Sequence, residues 1–356
     1  MKLDGLTSAY TTTKFLFLSS GLALFTTVAA AQTVTLNSPG GQVRDGGDAA
    51  VWGPAAKSLG IDLRVETSDD SFPVLRMEAA SNASTTDIFL LSSYNAELAQ
   101  REGLLEPIDK SQIAVNDFLP GTVTDYCVGL YGYANVMSWN TKTFGQNPPK
   151  NWADFWNVKD FPGSRAIRSI GDGMVEAALM ADGVEAGEVY KVLRTEEGLQ
   201  RAIDKLAELK PSVKIWWSSG AQQIQFMTDG EIDAVIGYNG RMQTVKSAGG
   251  SVDYTFKGGS FSFDCFAIAK GSKNKEAAMK LIAAMSTPEA HAGMTKFHTY
   301  GPLNLKAYDT GLIAPEVEAI LPTNKANAEN LLVMDNVWYA DFNDKMAQMY
   351  EDMMTE

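Results

Sequence analysis

The 356 residues carry 43 acidic against 30 basic side chains, a net charge of −13, with 45% hydrophobic residues and two cysteines. Domains usually run to roughly 100 to 200 residues, so this length points to two packed units. An acidic surface without a basic stripe repels phosphate backbones and excludes nucleic acid as a partner.

Residues 1–31 read as a secretory signal: Lys2 and Lys14 are basic, an apolar run starts at Phe15, and Ala29, Ala30 and Ala31 precede Gln32. An uncleaved membrane anchor is the other reading of that run. Cleavage removes two positive charges and one negative, taking −13 to −14, and leaves no segment for membrane insertion. No cysteine follows the run, which argues against a lipid anchor.

Beyond it, TVTLNS is a strand, SPGGQVRDGG a glycine-rich loop, DAAVWGPAAKSLG a helix and IDLRVETS a second strand. The helix FPVLRMEAASNA, the apolar strand TDIFLLSS and the helix YNAELAQREG continue the alternation. Strands alternating with helices predict α/β architecture with mostly parallel, doubly wound sheets. An apolar strand from about Tyr126 to Trp139 crosses into a second lobe. That lobe holds the strand RAIRSI, a helix starting near Asp172, a helix over Glu196 to Leu209, the strand VKIWWSS, the helix GAQQIQFMTDG and the strand DAVIGYN. The run SFSFDCFAIA then returns to the first lobe, and two crossings make a hinge. The expected boundaries are 32–131 with 260–305 for lobe 1 and 132–259 for lobe 2. Residues 306–356 supply C-terminal helices packed on the lobes, mainly the second.

Cys127 and Cys265 each sit in a strand-like run. They form a disulfide if those strands are neighbours, as an oxidising compartment favours, or remain two small buried apolar residues.

In open α/β sheets ligands sit beyond the carboxyl ends of the strands, so two such lobes enclose a cleft. Tyr238, Arg241 and Asp264 fall at strand ends beside short polar loops and make a candidate small-molecule site. No nucleophile elbow, phosphate loop or zinc signature accompanies them. His291 and His298 are the only histidines and have no acidic or thiol partner at ligand spacing. Binding is therefore expected rather than catalysis, with no catalytic residue, metal ligand or cofactor.

The segments TDIFLLSSYNAELAQREGLLEPID, DGEIDAVIGYNGR, FDCFAIAKGSKNKEAAMKLI and YGPLN, in this order, resemble the periplasmic solute-binding proteins of ABC transporters, in their spermidine/putrescine-binding branch. The similarity spans the chain after residue 31. It implies a type II two-lobe fold, a monomer in the periplasm, a permease as partner and an amine ligand. Asp264 matches that branch's amine-holding aspartate, Tyr300 its tyrosine before the P-x-N-like turn, Ser92 and Tyr94 its serine and tyrosine after the third strand, and Tyr238 its aromatic before Asn-Gly. Ser93 lies between the matched Ser92 and Tyr94.

The departures point to a ligand with an anionic group. Arg241 stands where the branch has serine or aspartate, Gly173 with Asp172 just before it replaces a glutamate, Ser262 replaces a tryptophan, and SPGGQ replaces the aromatic first loop. Arg241 offers a bidentate donor to a carboxylate, and Ser38, Gly40 and Gly41 stand before a helix N-terminus suited to an anion. Asp264, with Tyr238, Tyr94 or Trp217, suits an ammonium group. Simpler roles stay open: Arg241 as an ion-pair partner of Asp264, Asp172 as a helix cap, Trp217 as core and SPGGQ as a turn. A ferric-ion binder of the same fold is disfavoured by the lack of adjacent tyrosines, and a sensory binding protein working with a receptor is a further alternative.

Overall fold

A computed structural model describes Met1 and residues 32–355, apart from Asp69, Asn82, Ala83 and Gln146. The expected signal segment, after Met1, lies outside the described residues.

Eleven strands are described: β1 Thr33–Ser38, β2 Asp62–Thr67, β3 Ile88–Ser92, β4 Leu105–Glu106, β5 Val128–Asn140, β6 Arg165–Arg168, β7 Val213–Trp217, β8 Ala234–Tyr238, β9 Val252–Ala269, β10 Gly301–Pro302 and β11 Leu332–Val333. The eight longer ones follow the order β2-β1-β3-β9-β5-β8-β6-β7. Pairing is parallel within β2-β1-β3 and within β8-β6-β7, as alternating strands and helices require. The expectation of mostly parallel sheets needs one correction. The crossing strands β5 and β9 run antiparallel to each other, β9 antiparallel to β3 and β5 antiparallel to β8, so both parallel halves join one mixed sheet.

These crossing strands are long, 13 and 18 residues, because each serves both halves. The C-terminal part of β9 pairs with β3, and the C-terminal part of β5 pairs with β8. The hydrophobic side chains accordingly divide. One core draws on residues 34–131 and 261–303, while two further clusters draw on residues 137–252 and 334–353. The chain thus forms two α/β lobes connected through β5 and β9.

Local chemistry explains several element ends. Thr195 caps the helix Glu196–Leu209 by accepting from the Gly198 N–H at 3.0 Å, with Glu196 and Glu197 favourably placed in its first turn. The helix Gly220–Asp229 opens on a capping box of Ser219 and Gln222 and closes at Gly230, whose φ of 70° suits only glycine well. The helix expected over DAAVWGPAAKSLG is in fact two, Gln42–Ala50 and Trp52–Leu59, broken at Val51. Pro54 accounts for the break: its ring would clash with the carbonyl four residues earlier, and it has no N–H to continue the ladder.

Cys127 and Cys265 are bonded as a disulfide, with Cα atoms 5.6 Å apart, and Cys265 pairs with Gly129 on β5. The bond therefore ties the start of β5 to β9 inside the first core.

Candidate functional site

The parallel strands β1, β3, β6 and β8 all end at one cleft, which Pro39, Ser92, Arg168 and Tyr238 line. The cleft encloses about 210 Å³. This is below the roughly 300 to 1,000 Å³ of sites for drug-sized ligands, so it suits a small solute.

Its floor comes from the crossing strands. In register, Ser92 of β3 faces Asp264 of β9, and Asp264 faces Tyr131 of β5, so the three form one row across the sheet. The Tyr131 hydroxyl donates to Asp264 at 2.7 Å. Tyr133, two residues along β5 and hence on the same face, also reaches the Asp264 carboxylate. Asp264 is half-buried, and burial pushes its carboxyl up to about 7 despite those two donors. The expectation of Asp264 at a strand end is corrected: it lies mid-strand, because β9 continues through both lobes.

Four tyrosines surround this carboxylate. Rings of Tyr131 and Tyr300 lie 5.3 Å apart, Tyr133 and Tyr300 5.7 Å, and Tyr133 and Tyr238 5.4 Å. Tyr300 can reach this position because Gly240 has no side chain: a Cβ there would come within 2.6 Å of the Tyr300 ring. Such a box of aromatic faces around a carboxylate is suited to an ammonium group.

Positive charge stands on the same cleft. Arg168, at the end of β6, pairs with Asp172 at 3.2 Å and lies 5.7 Å from the Tyr238 ring centre and 5.7 Å from that of Trp217. Burial works against its charge, yet Tyr238, Asp172 and Tyr94 hold the guanidinium above its ordinary value. Arg241 sits not on a strand, as expected, but in the first turn of the helix Asn239–Ser247. Its Nη1 makes a 3.4 Å hydrogen bond to Gln42, and its Nε is buried without a partner among the described residues. The alternative of an Arg241–Asp264 ion pair is not realised; Asp264 is held by the tyrosines.

Of the residues expected at the site, the cleft brings together Ser92, Tyr94, Asp172, Tyr238, Arg241, Asp264 and Tyr300. The others lie off its lining. Trp217 is fully buried, its Nε1 donating to the Ile236 carbonyl at 3.1 Å, because the alternation along β7 turns it into a core while Trp216 faces Tyr350. Ser38 is buried and turns its hydroxyl to the Pro39 carbonyl. Ser93 starts a helix whose packing takes its hydroxyl to Asn336 at 2.8 Å. Gly40 and Gly41 are exposed, with nothing within 4 Å of a built Cβ. Asp172 caps no helix; Gly173 does, and Asp172 pairs with Arg168.

Sequence reading missed Arg168, Tyr131, Tyr133, Asp70 and Asn95. Arg168 carried a usable signal, since the strand-end rule that singles out Tyr238 applies equally to the end of RAIRSI. The alternation in LYGYA likewise places Tyr131 and Tyr133 on one face.

Comparison with known proteins places this geometry. Residues 54–322 match the family model described as bacterial extracellular solute-binding protein. The gamma-aminobutyric acid-binding protein of Pseudomonas aeruginosa is 30% identical over 323 residues, covering 90% of this chain and 91% of that one. The spermidine/putrescine-binding periplasmic protein of Escherichia coli is 25% identical over 271 residues, 73% and 75% of the two chains. The structure of the periplasmic binding protein MotA from A. tumefaciens B6 in complex with glucopine aligns with a TM-score of 0.85 at 36% identity, covering 91% of this chain and 100% of that one. The chain belongs to the bacterial extracellular solute-binding protein family.

Proposed function

We propose that this chain captures a small zwitterionic amino compound between its lobes and delivers it to the permease of an ABC importer. The carrying observation is the charge layout of the cleft: Asp264 in its tyrosine box for an ammonium group, with Arg168 and Arg241 on the same cleft for a carboxylate. A relative named for binding gamma-aminobutyric acid, itself such a compound, supports the reading. Lobe 1 is 32–131 with 260–305, lobe 2 is 132–259, and 306–356 packs mainly on the second. Contacts to both lobes form only in the closed state, so ligand shifts an open–closed equilibrium about β5 and β9. The protein works as a periplasmic monomer after loss of residues 1–31, without catalysis. Among the described residues no helix is long and apolar enough to cross a membrane.

A linear polyamine is the second reading, favoured by one observation: Asp70 and Asp172 join Asp264 on the lining. Pairing with Arg168 occupies Asp172, which leaves Asp70 and Asp264, and Arg168 and Arg241 on the same lining set positive charge against a second ammonium end. The deciding experiment is a thermal-shift screen of residues 32–356 against 4-aminobutyrate, other amino acids, betaines, putrescine, spermidine and ferric ion. A ligand that binds only the folded state raises the melting temperature by mass action. Stabilisation by zwitterions and not by putrescine is the expected result; stabilisation by polyamines alone overturns it.

A further inference from the structure

We propose that the C-terminal helix Asn336–Thr355, which contributes no residue to the cleft lining, is the positioning element for the cleft's charged corner, acting through the hydroxyls of Tyr339 and Tyr350. The proposal rests on Arg168 and Asp172 being ligand-site groups.

The two charged residues flank a short turn, 168–172, that passes directly over this helix. Three points of one helix face grip it. The Tyr350 hydroxyl donates to the Arg168 carbonyl at 2.6 Å. Met346 lies under Gly171 so closely that a Cβ there would meet its sulfur at 2.0 Å. The Tyr339 hydroxyl accepts from the Gly173 N–H at 3.1 Å and donates to Glu176 Oε1 at 2.7 Å. Positions 339, 346 and 350 are spaced by seven and four residues, which puts them on one face, and all three side chains are fully or almost fully buried.

The same helix reaches the other lobe. The Tyr339 ring lies 5.3 Å from that of Tyr94, a lining residue, and Asn336 accepts from Ser93. Arg101 pairs with Asp341 at 2.5 Å. Its own footing is firm: the Trp338 Nε1 donates to the Leu193 carbonyl at 3.0 Å, and Trp338 is fully buried. One helix thus touches the backbone of Arg168, the turn carrying Asp172 and the ring of Tyr94. Side chains that must meet a ligand within fractions of an ångström need support of this kind.

Tyr350→Phe and Tyr339→Phe each delete one hydroxyl and keep the ring. Tyr308→Phe, whose hydroxyl meets Thr323 away from the cleft, serves as control. The first readout is the arginine Nε–H spectrum of unliganded protein labelled with nitrogen-15. The Arg168 signal is expected to shift or broaden in Tyr350→Phe and in Tyr339→Phe, and to stay in Tyr308→Phe, while Arg241 is unmoved in all three. The second is calorimetric titration with 4-aminobutyrate. Its Kd is expected to rise about tenfold in Tyr350→Phe, which removes the hydroxyl that holds the Arg168 carbonyl, and less than twofold in Tyr308→Phe. An unmoved Arg168 signal, or a Kd for Tyr350→Phe within twofold of the parent protein, overturns the proposal. If the parent protein binds no amine or zwitterion, the ligand reading fails, and the Arg168 signal still decides the role of the helix.

Discussion

Acidification tests the role of Asp264 directly. Its carboxyl is pushed up to about 7, burial being the largest cause, so in the empty cleft it is half protonated near neutrality. An ammonium ligand needs the carboxylate, and binding must first expel that proton. With a pKa of about 7, about 3% of Asp264 is ionised at pH 5.5 and about 75% at pH 7.5. The Kd for 4-aminobutyrate is therefore expected to be about 25-fold weaker at pH 5.5 than at pH 7.5. Calorimetry in buffers of differing ionisation enthalpy should count close to one proton released per ligand at pH 6. Tyr131→Phe takes away the 2.7 Å donor and should move the midpoint to higher pH. Asp264→Asn should bind weakly with no dependence on pH over this range. A Kd that stays flat from pH 5.5 to 7.5, or the same slope in Asp264→Asn, refutes the assignment of the ammonium to Asp264.

Glu176 gives a stability counterpart. Burial raises its carboxyl to about 7 although the Tyr190 and Tyr339 hydroxyls donate to it, and the folded state therefore favours its neutral form. That contribution is fully present below the unfolded pKa near 4.5 and is lost as pH rises through about 7, on the order of 3 kcal/mol at most. Urea unfolding of Glu176→Gln should show a smaller decline from pH 5 to pH 8 than the parent protein; parallel curves would remove Glu176 as the source. The disulfide closes a loop of 138 residues, for which chain entropy predicts about 5 kcal/mol. Replacing Cys127 and Cys265 by serine should lower the unfolding midpoint accordingly, and an unchanged midpoint would mean that residual contacts already restrain that loop in the unfolded chain.

Much of the fold was legible in the sequence because it rests on local chemistry. Apolar runs such as TVTLNS and IFLLS are buried strands, and Glu196–Leu209 announces its helix by Thr195 and two first-turn glutamates. The rule that strand ends carry the site pointed to Tyr238, the resemblance to Ser92, and segment order to the family; both residues line the cleft. What the sequence by itself determined, then, was the alternation of elements, the family and several cleft residues. Tertiary structure alone decided which side chains meet. Asp264 and Tyr131 are 133 residues apart and become partners only through the antiparallel register of β5 and β9. Which of Trp216 and Trp217 enters a core depends on the sheet's two faces, information that a run of five β-strand residues does not contain. Tyr350 finds the Arg168 carbonyl 182 residues away because a terminal helix folds back beneath the turn. Periodicity encodes which face a residue occupies; the identity of the neighbour across that face is a property of the assembled sheet.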